Sequence, residues 1–563
     1  MAFYYQDIKL HLEYQITFMK RKLQLLIVLV SFSAAAKSQL NNNGATFTVQ
    51  SDAHVMIAGD FKNVSGTIIN DGKIEVQGNF INSGTYTSTA NEDSLIMSGT
   101  GPDTLTGGAS IIHYLTINKA TNSDIVRLGG TTIVNTKLDY LSGVLTTDPI
   151  LNSAFTLTSP VSAVYNFAAG KEIIGSVRRT GWTNGAARIF NQTNMQITTN
   201  GGTAPASLTV TMIPQSGGGD PTQNEREVKR KFLFAQTGGS GFTADIRYPY
   251  VAGELNTNVE ANIVPWELIS SEWNARSTGI THDVVNHYIA ITGIPVADLA
   301  LEWKLADPRY TFNVAAYLRG PWNGATMNTS LNSGGTIPLS QPYNTTPFNY
   351  TGTESVGSIP NANIVDWVLV EHRKPATGLP ADASSATITG RKAGFLLNNG
   401  TVVDLDGVTP LSFNITKQGA CFVVIRHRNH LGVLSNSIPS NVAGTFANDY
   451  SLLANSYKAS GAASNPVVLL SGGIKYGLWA GDANKNGIVN GTDVSAVKLA
   501  IASLATGYLF TDANLSNSIN GTDVSLAKNT ISLLGSGSAP TKANDNTGLT
   551  GQVQTNIPDP IVE

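Results

Sequence analysis

The stretch from Gly481 to Leu504 reads GDANKNGIVNGTDVSAVKLAIASL; after a gap of seven residues, Asp512 to Leu534 reads DANLSNSINGTDVSLAKNTISLL. The two copies start thirty residues apart, and each is a short polar loop followed by an amphipathic segment. Counted as twelve positions, the first loop places Asp482, Asn484 and Asn486 at 1, 3 and 5, Gly487 at 6, Ile488 at 7, Asn490 at 9 and Asp493 at 12. Side-chain oxygens at 1, 3, 5 and 12, with a main-chain carbonyl at 7, are the set that wraps a hard cation taking six to eight oxygens, and the cation of that description is calcium. Position 6 turns sharply, which favours Gly. The second loop repeats the design with Asp512, Asn514, Ser516, Ser518, Asn520 and Asp523. Its position 6 is Asn517, a residue that tolerates a left-handed backbone. Two calcium sites are therefore expected.

Each loop has only two carboxylates, and its position 12 is Asp in place of the bidentate Glu of a helix-loop-helix hand. Low ligand charge places the expected affinity in the range of extracellular modules, roughly 10⁻⁴–10⁻³ M. Behind the loops, Val494, Val497, Ile501 and Leu504 form one apolar stripe, and Val524, Ala527, Ile531 and Leu534 form the other. The spacing predicts two helices packed through these faces.

This pair of repeats resembles a type I dockerin, the calcium-dependent docking module of secreted polysaccharide-degrading systems. The resemblance covers about a tenth of the chain. It implies a cohesin-like partner facing positions 10, 11 and 17 of each repeat. Here these are Gly491, Thr492 and Lys498, then Gly521, Thr522 and Lys528. The set is the same in both repeats, as in family members that dock in two orientations. Gly replaces the more familiar Ser or Thr at position 10.

The chain of 563 residues as a whole is poor in charge (13% Asp, Glu, Lys and Arg; formal net charge −3) and carries 55 Gly. Such a chain reads as β architecture with many turns and argues against nucleic-acid binding. Cys421 is the only cysteine, so an intrachain disulfide is excluded. Residues 19–39, MKRKLQLLIVLVSFSAAAKSQ, read as a signal peptide: Lys20, Arg21 and Lys22, then an apolar run from Leu23 to Phe32 too short to span a bilayer, then cleavage before Gln39. Cleavage after Ala36 is the alternative; either Met1 or Met19 is the start, and 1–38 reads as an N-terminal extension plus leader.

Residues 39–160 are short β phrases with an internal repeat. Gly59-Asp60-Phe61-Lys62-Asn63 recurs nineteen residues on as Gly78-Asn79-Phe80-Ile81-Asn82. A period near twenty points to stacked coils of a β-solenoid, similar to the Gly/Asn/Thr-rich repeats of Bacteroidetes surface adhesins; a β-sandwich with regular turns is the rival. The acids here are scattered rather than clustered as a hydrolase or lyase needs; Asp71 with Glu92, and Glu75 with Asp93, sit near the repeat spacing, but a structural role is the reading favoured for them. Residues 161–310 are a further β-rich domain. In it the charge run Glu225–Lys231 reads as a solvated face, and Trp266, Trp273 and Trp303 as core rather than a sugar platform.

Residues 311–440 read as an immunoglobulin-like sandwich, with Ile364–Glu371 and Cys421–Arg428 as long strands and a hairpin around Asn398-Asn399-Gly400. His372, His427 and His430 tempt a metal reading. Flanking Arg426 and Arg428, with no adjacent carboxylate, favour a structural role. Residues 441–478 connect, with a short helix expected at 451–463. Residues 479–536 form the calcium-loop domain, and 537–563 read as a disordered tail.

The fold class is thus mainly β: solenoid-like or sandwich repeats, a central β region, an immunoglobulin-like sandwich and a small α-helical calcium-loop domain. The functional reading is a secreted or cell-surface modular protein that docks through calcium, in adhesion or assembly of a polysaccharide-related complex. Its partner is a cohesin-like domain or the chain's own sandwich. The alternative is a glycoside hydrolase or lyase using the solenoid, with the docking module as anchor. No nucleophile elbow, phosphate loop or zinc motif is present.

Overall fold

The computed structural model describes residues 39–88, 93–108, 110–147, 155–214, 227–437, 440–442, 444–535 and 537–544. The expected leader lies outside the described residues, as does the tail beyond 544. No helix among the described residues is long and apolar enough to cross a membrane.

The N-terminal repeats form a β-solenoid of about six turns, not a sandwich. Alternation drives it: strand Asp60–Asn63 buries Phe61 and Asn63 and shows Lys62 to solvent. Phe61 lies opposite Phe80, and Asn63 opposite Asn82, in parallel register, so the nineteen-residue repeat is one turn. Inside, Phe47, Phe61, Phe80 and Tyr86 stack edge to face at 5.3, 5.6 and 6.1 Å between successive rings. At the corner, Asn63 Nδ2 donates to Asn82 Oδ1 at 2.7 Å and to Gly66 O at 3.0 Å. Parallel pairing continues past residue 160, through Ile173–Thr180.

There the direction changes. Ile173–Thr180 pairs antiparallel with Ser207–Pro214, which pairs with Arg230–Thr237. Trp266 and Trp303 are fully buried, and Trp273 is partly buried under Lys304, so the tryptophans are core. The charge run departs from expectation at Arg230. Its guanidinium is buried and held by Glu172 (2.5 Å) and Glu254 (2.8 Å), which makes that part of the run an internal ion network rather than a solvated face.

Beyond it stand two sheets. One has the order Val402–Val403, Ile388–Leu397, Ile364–Arg373, Phe422–Arg426, Val433–Leu434; the other runs Leu411–Asn414, Arg309–Ala315, Thr445–Asp449, Ser440–Val442. Every residue of Ile364–Arg373 is buried, on both faces of its sheet. The near side packs against Phe312 and Phe446 of the other sheet. The far side is covered around Trp367 by the segment that holds Pro338 and Tyr343, and at Arg373 by the C-terminal segment. The helix expected at 451–463 is absent; a single 3₁₀ turn, Leu453–Asn455, stands there.

The calcium-loop unit is joined to this sandwich along its whole entry. Leu478 N–H donates to Tyr317 O at 2.8 Å, Leu431 N–H donates to Trp479 O at 2.8 Å, and His430 bridges Ala480 antiparallel. The segment after the second helix corrects the expectation of disorder from 537. Val489 N–H donates to Gly537 O (2.7 Å), Arg373 donates to Lys542 O (2.9 Å) and Ala543 O (3.2 Å), and Ala543 is buried with Phe422, Val424 and Leu434.

Candidate functional site

The two loops have the same internal wiring. Asp482 accepts from the backbone N–H of Asn486 (3.0 Å) and Gly487 (2.9 Å), and Asp493 accepts from those of Asn484 (3.0 Å) and Asn490 (2.9 Å). In the second loop Asp512 accepts from Ser516 (3.0 Å) and Asn517 (2.8 Å), and Asp523 from Asn514 (3.1 Å) and Asn520 (2.9 Å). The first and last carboxylates of each loop are thereby drawn to one place. Gly487 and Asn517 turn at φ +81° and +65°, as position 6 requires, and position 4 is left-handed too, at Lys485 (+65°) and Leu515 (+54°).

Position 9 has a second task. Asn490 and Asn520 cap the helices Gly491–Ala502 and Gly521–Leu534, accepting from the backbone N–H of Thr492 and Thr522 at 2.8 Å each. The Thr hydroxyls donate to the same amides at 2.7 and 2.6 Å, and accept from Asn484 and Asn514 at 2.8 Å. Val494, Val497, Ala527 and Leu534 are buried as their stripes predict. Leu504 is not: the first helix stops at Ala502, and Leu504 stands at φ +52° and 85% exposed.

Among the described residues there is no group of three or more His, Cys, Asp or Glu suited to a metal. Each loop instead brings together two carboxylates, with amide, hydroxyl and main-chain oxygens around them. All four aspartates are buried. Burial, with Asp493 alongside, pushes Asp482 up to about 7; burial, with Asp523 alongside, pushes Asp512 up to about 6. Facing buried carboxylates are a cost that a divalent cation offsets, and the all-oxygen donor set fits calcium rather than a softer metal.

The partner-facing candidates of the sequence are all at the surface: Gly491, Thr492, Lys498, Gly521, Thr522 and Lys528 are exposed. The face bound to the sandwich is a different one, and no motif pointed to it. At its centre Asp366 receives Arg428 Nε at 2.8 Å, His427 Nε2 at 3.2 Å and the Tyr508 hydroxyl at 2.5 Å. Arg428 reaches on to Leu509 O and lies 4.1 Å over the Tyr508 ring. Arg319 donates to Asn529 Oδ1 at 2.8 Å. A side chain at Gly320 would meet Ala513 O at 1.9 Å, so only Gly lets the second loop approach this closely.

The histidines are thus structural. His427 has a carboxylate beside it after all, Asp366, from sixty-one residues away. Burial pushes His427 and His430 down, and His372, bonded to Thr389, down to about 3, so each is neutral at neutral pH. In the solenoid, Glu75 bonds Ser98 (2.7 Å) and His54 (3.0 Å), while Asp93 lies near His113 (3.7 Å). Glu75 and Asp93 do not stack, since Glu75 stands opposite Ile96. Glu92 lies outside the described residues.

Comparison with known proteins agrees with this geometry. Residues 480–544 match the family described as Dockerin type I domain. No curated protein and no solved structure matches the chain. Domains of this type bind calcium in EF-hand-like loops, dock on cohesins in assembling complexes, and are typically extracellular. The paired loops, their capped helices and the following segment to Asn544 are a dockerin type I domain, joined here to a mainly β chain.

Proposed function

We propose that this chain is a secreted or cell-surface modular protein that docks through two calcium ions, one per loop, onto a cohesin-like domain. Asp482, Asn484, Asn486, Ile488, Asn490 and Asp493 hold the first ion. Asp512, Asn514, Ser516, Ser518, Asn520 and Asp523 hold the second. The partner meets Gly491, Thr492 and Lys498, or equally Gly521, Thr522 and Lys528. The β-solenoid and sandwich then serve adhesion or the assembly of a polysaccharide-related complex.

One observation carries the reading. The dockerin is held on the sandwich, yet all six candidate partner residues stay exposed. Because the two sets are identical, reversing one lysine leaves the other orientation usable. Binding of the intact chain to immobilised type I cohesin domains, with calcium and with chelator, tests this. Lys498→Glu or Lys528→Glu alone is expected to weaken calcium-dependent binding by about twofold, and the pair together by on the order of a hundredfold. Binding in chelator, or equal loss from either single change and the pair, would overturn the two-faced docking.

A further inference from the structure

Between the sandwich and the dockerin, one residue touches both loops, the first through its main-chain carbonyl and the second through its side chain. Asn429 is fully buried at the end of the segment Phe422-Val-Val-Ile-Arg-His-Arg-Asn. Its backbone carbonyl accepts from Gly481 N–H at 3.1 Å and from Asp482 N–H at 3.2 Å. Its side-chain Nδ2 donates to Asp512 O at 2.8 Å and to Phe510 O at 3.0 Å. Its Oδ1 faces His430 Nδ1 at 2.8 Å. Asp482 and Asp512 hold the same place in their loops, position 1, and each has a main-chain atom bonded to this one residue.

The bonds are complementary in kind. The first loop offers N–H groups, which a carbonyl receives, and the second offers carbonyls, which an amide NH₂ reaches. The carbonyl is main chain and any residue would supply it; the NH₂ is what Asn adds at this position. Aspartate would lose both side-chain donors, and alanine would leave two carbonyls buried without them. Around Asn429 the support is rigid: Arg428 holds Leu509 O, and Gly320 lies against Ala513.

We infer that Asn429 is a positioning residue that couples the two calcium loops, so that the sandwich is a working part of the calcium module. The inference rests on the two-ion reading above. An ion in the first loop fixes Asp482, and through Asn429 it fixes the main chain at Asp512. The second loop is then ordered before its own ion arrives, and affinity there rises. By reciprocity the second ion strengthens the first to the same extent.

Calcium titration of the intact, chelator-stripped chain by calorimetry tests this, with Asp493→Asn and Asp523→Asn as single-loop variants. In the wild-type background, disabling the first loop is expected to weaken the second by about tenfold, and the reverse by the same factor. In an Asn429→Ala background the remaining loop is expected to bind weakly whether or not the other is intact. No calcium heat in the wild type would overturn the two-ion reading and this inference together. Calcium binding with the same affinity at one loop whatever the state of the other would leave the two-ion reading standing and overturn the coupling alone. The two single-loop variants decide this without altering the sandwich, so a failure of Asn429→Ala to fold does not remove the test. Tenfold coupling that persists in Asn429→Ala would reject Asn429 as its carrier.

Discussion

Asp366 shows how much of the sandwich–dockerin junction rests on single residues. Burial alone would raise its pKa, but Arg428, His427 and the Tyr508 hydroxyl outweigh that and hold it at about 2. The folded value lies below the ordinary carboxylate range near 4, so ionised Asp366 stabilises the fold above about pH 4 and the contribution is lost as pH falls towards 2. His372 adds an earlier loss. Its folded pKa is depressed to about 3, so its contribution is complete above about pH 6.5 and declines as the pH drops through that window. In saturating calcium, which keeps Asp482 and Asp512 ionised, melting temperature is expected to fall from about pH 6 downward, more steeply below pH 4, and Asp366→Asn should flatten the lower part in calorimetric scans. Arg428→Ala leaves a buried carboxylate uncompensated and is expected to cost about 3–5 kcal/mol in chemical denaturation. Gly320→Ala is a sterically local test: its methyl displaces Ala513, and the gain in melting temperature on adding calcium should shrink while the melt in chelator moves less. None of these roles is legible in sequence. Asp366, Asn429 and Gly320 each act on residues about 50 to 190 positions away. The one available signal was a run of strand-patterned residues, CFVVIRHRNHLGV, carrying charges where a buried strand should have none.

At the scale of elements the chemistry is more local and the sequence says more. The loop positions, the left-handed Gly487 and Asn517 and the stripes Val494–Val497 and Ala527–Leu534 are all neighbours in the chain, and each appears where spacing places it. The solenoid period was readable because one turn repeats one phrase, so Phe61 stacks on Phe80 and Asn63 on Asn82. Glu75 and Asp93 have the structural roles the scattered acids suggest, and spacing alone does not pair them, because a shift of a few residues within a turn changes which side chains are opposite. The order of the tail 537–544 was hidden for another reason. Its Gly, Ser and Pro content reads as unstructured, and the backbone bonds that hold it come from Arg373 and Val489. Within the solenoid the asparagine corner is the sharpest test. Asn63→Ala removes a donor shared among Gly66 O, Thr85 O and Asn82 Oδ1 and leaves the Gly66 and Asn82 acceptors buried. A loss of about 1–3 kcal/mol is expected. Amide hydrogen exchange should show it as faster opening of the two adjoining turns, with the sandwich unchanged.

On the scale of the whole molecule, the solenoid and the dockerin are opposite in kind. The dockerin is tied to a sandwich by many long-range bonds, whereas each solenoid turn meets only its neighbours. The difference matters once the protein is pulled. Suppose the dockerin is anchored to its partner and tension acts on the far side of the solenoid, as shear on a cell surface would apply it. The load reaches the outermost turn first, and that turn can leave without disturbing those behind it. In a single-molecule stretching experiment the solenoid is expected to yield turn by turn, each step releasing a turn's length of chain, roughly 65 Å for nineteen residues. The repeating turn would then be a shock absorber in series with the dock, lengthening the tether at limited force so that the calcium-held contact is spared.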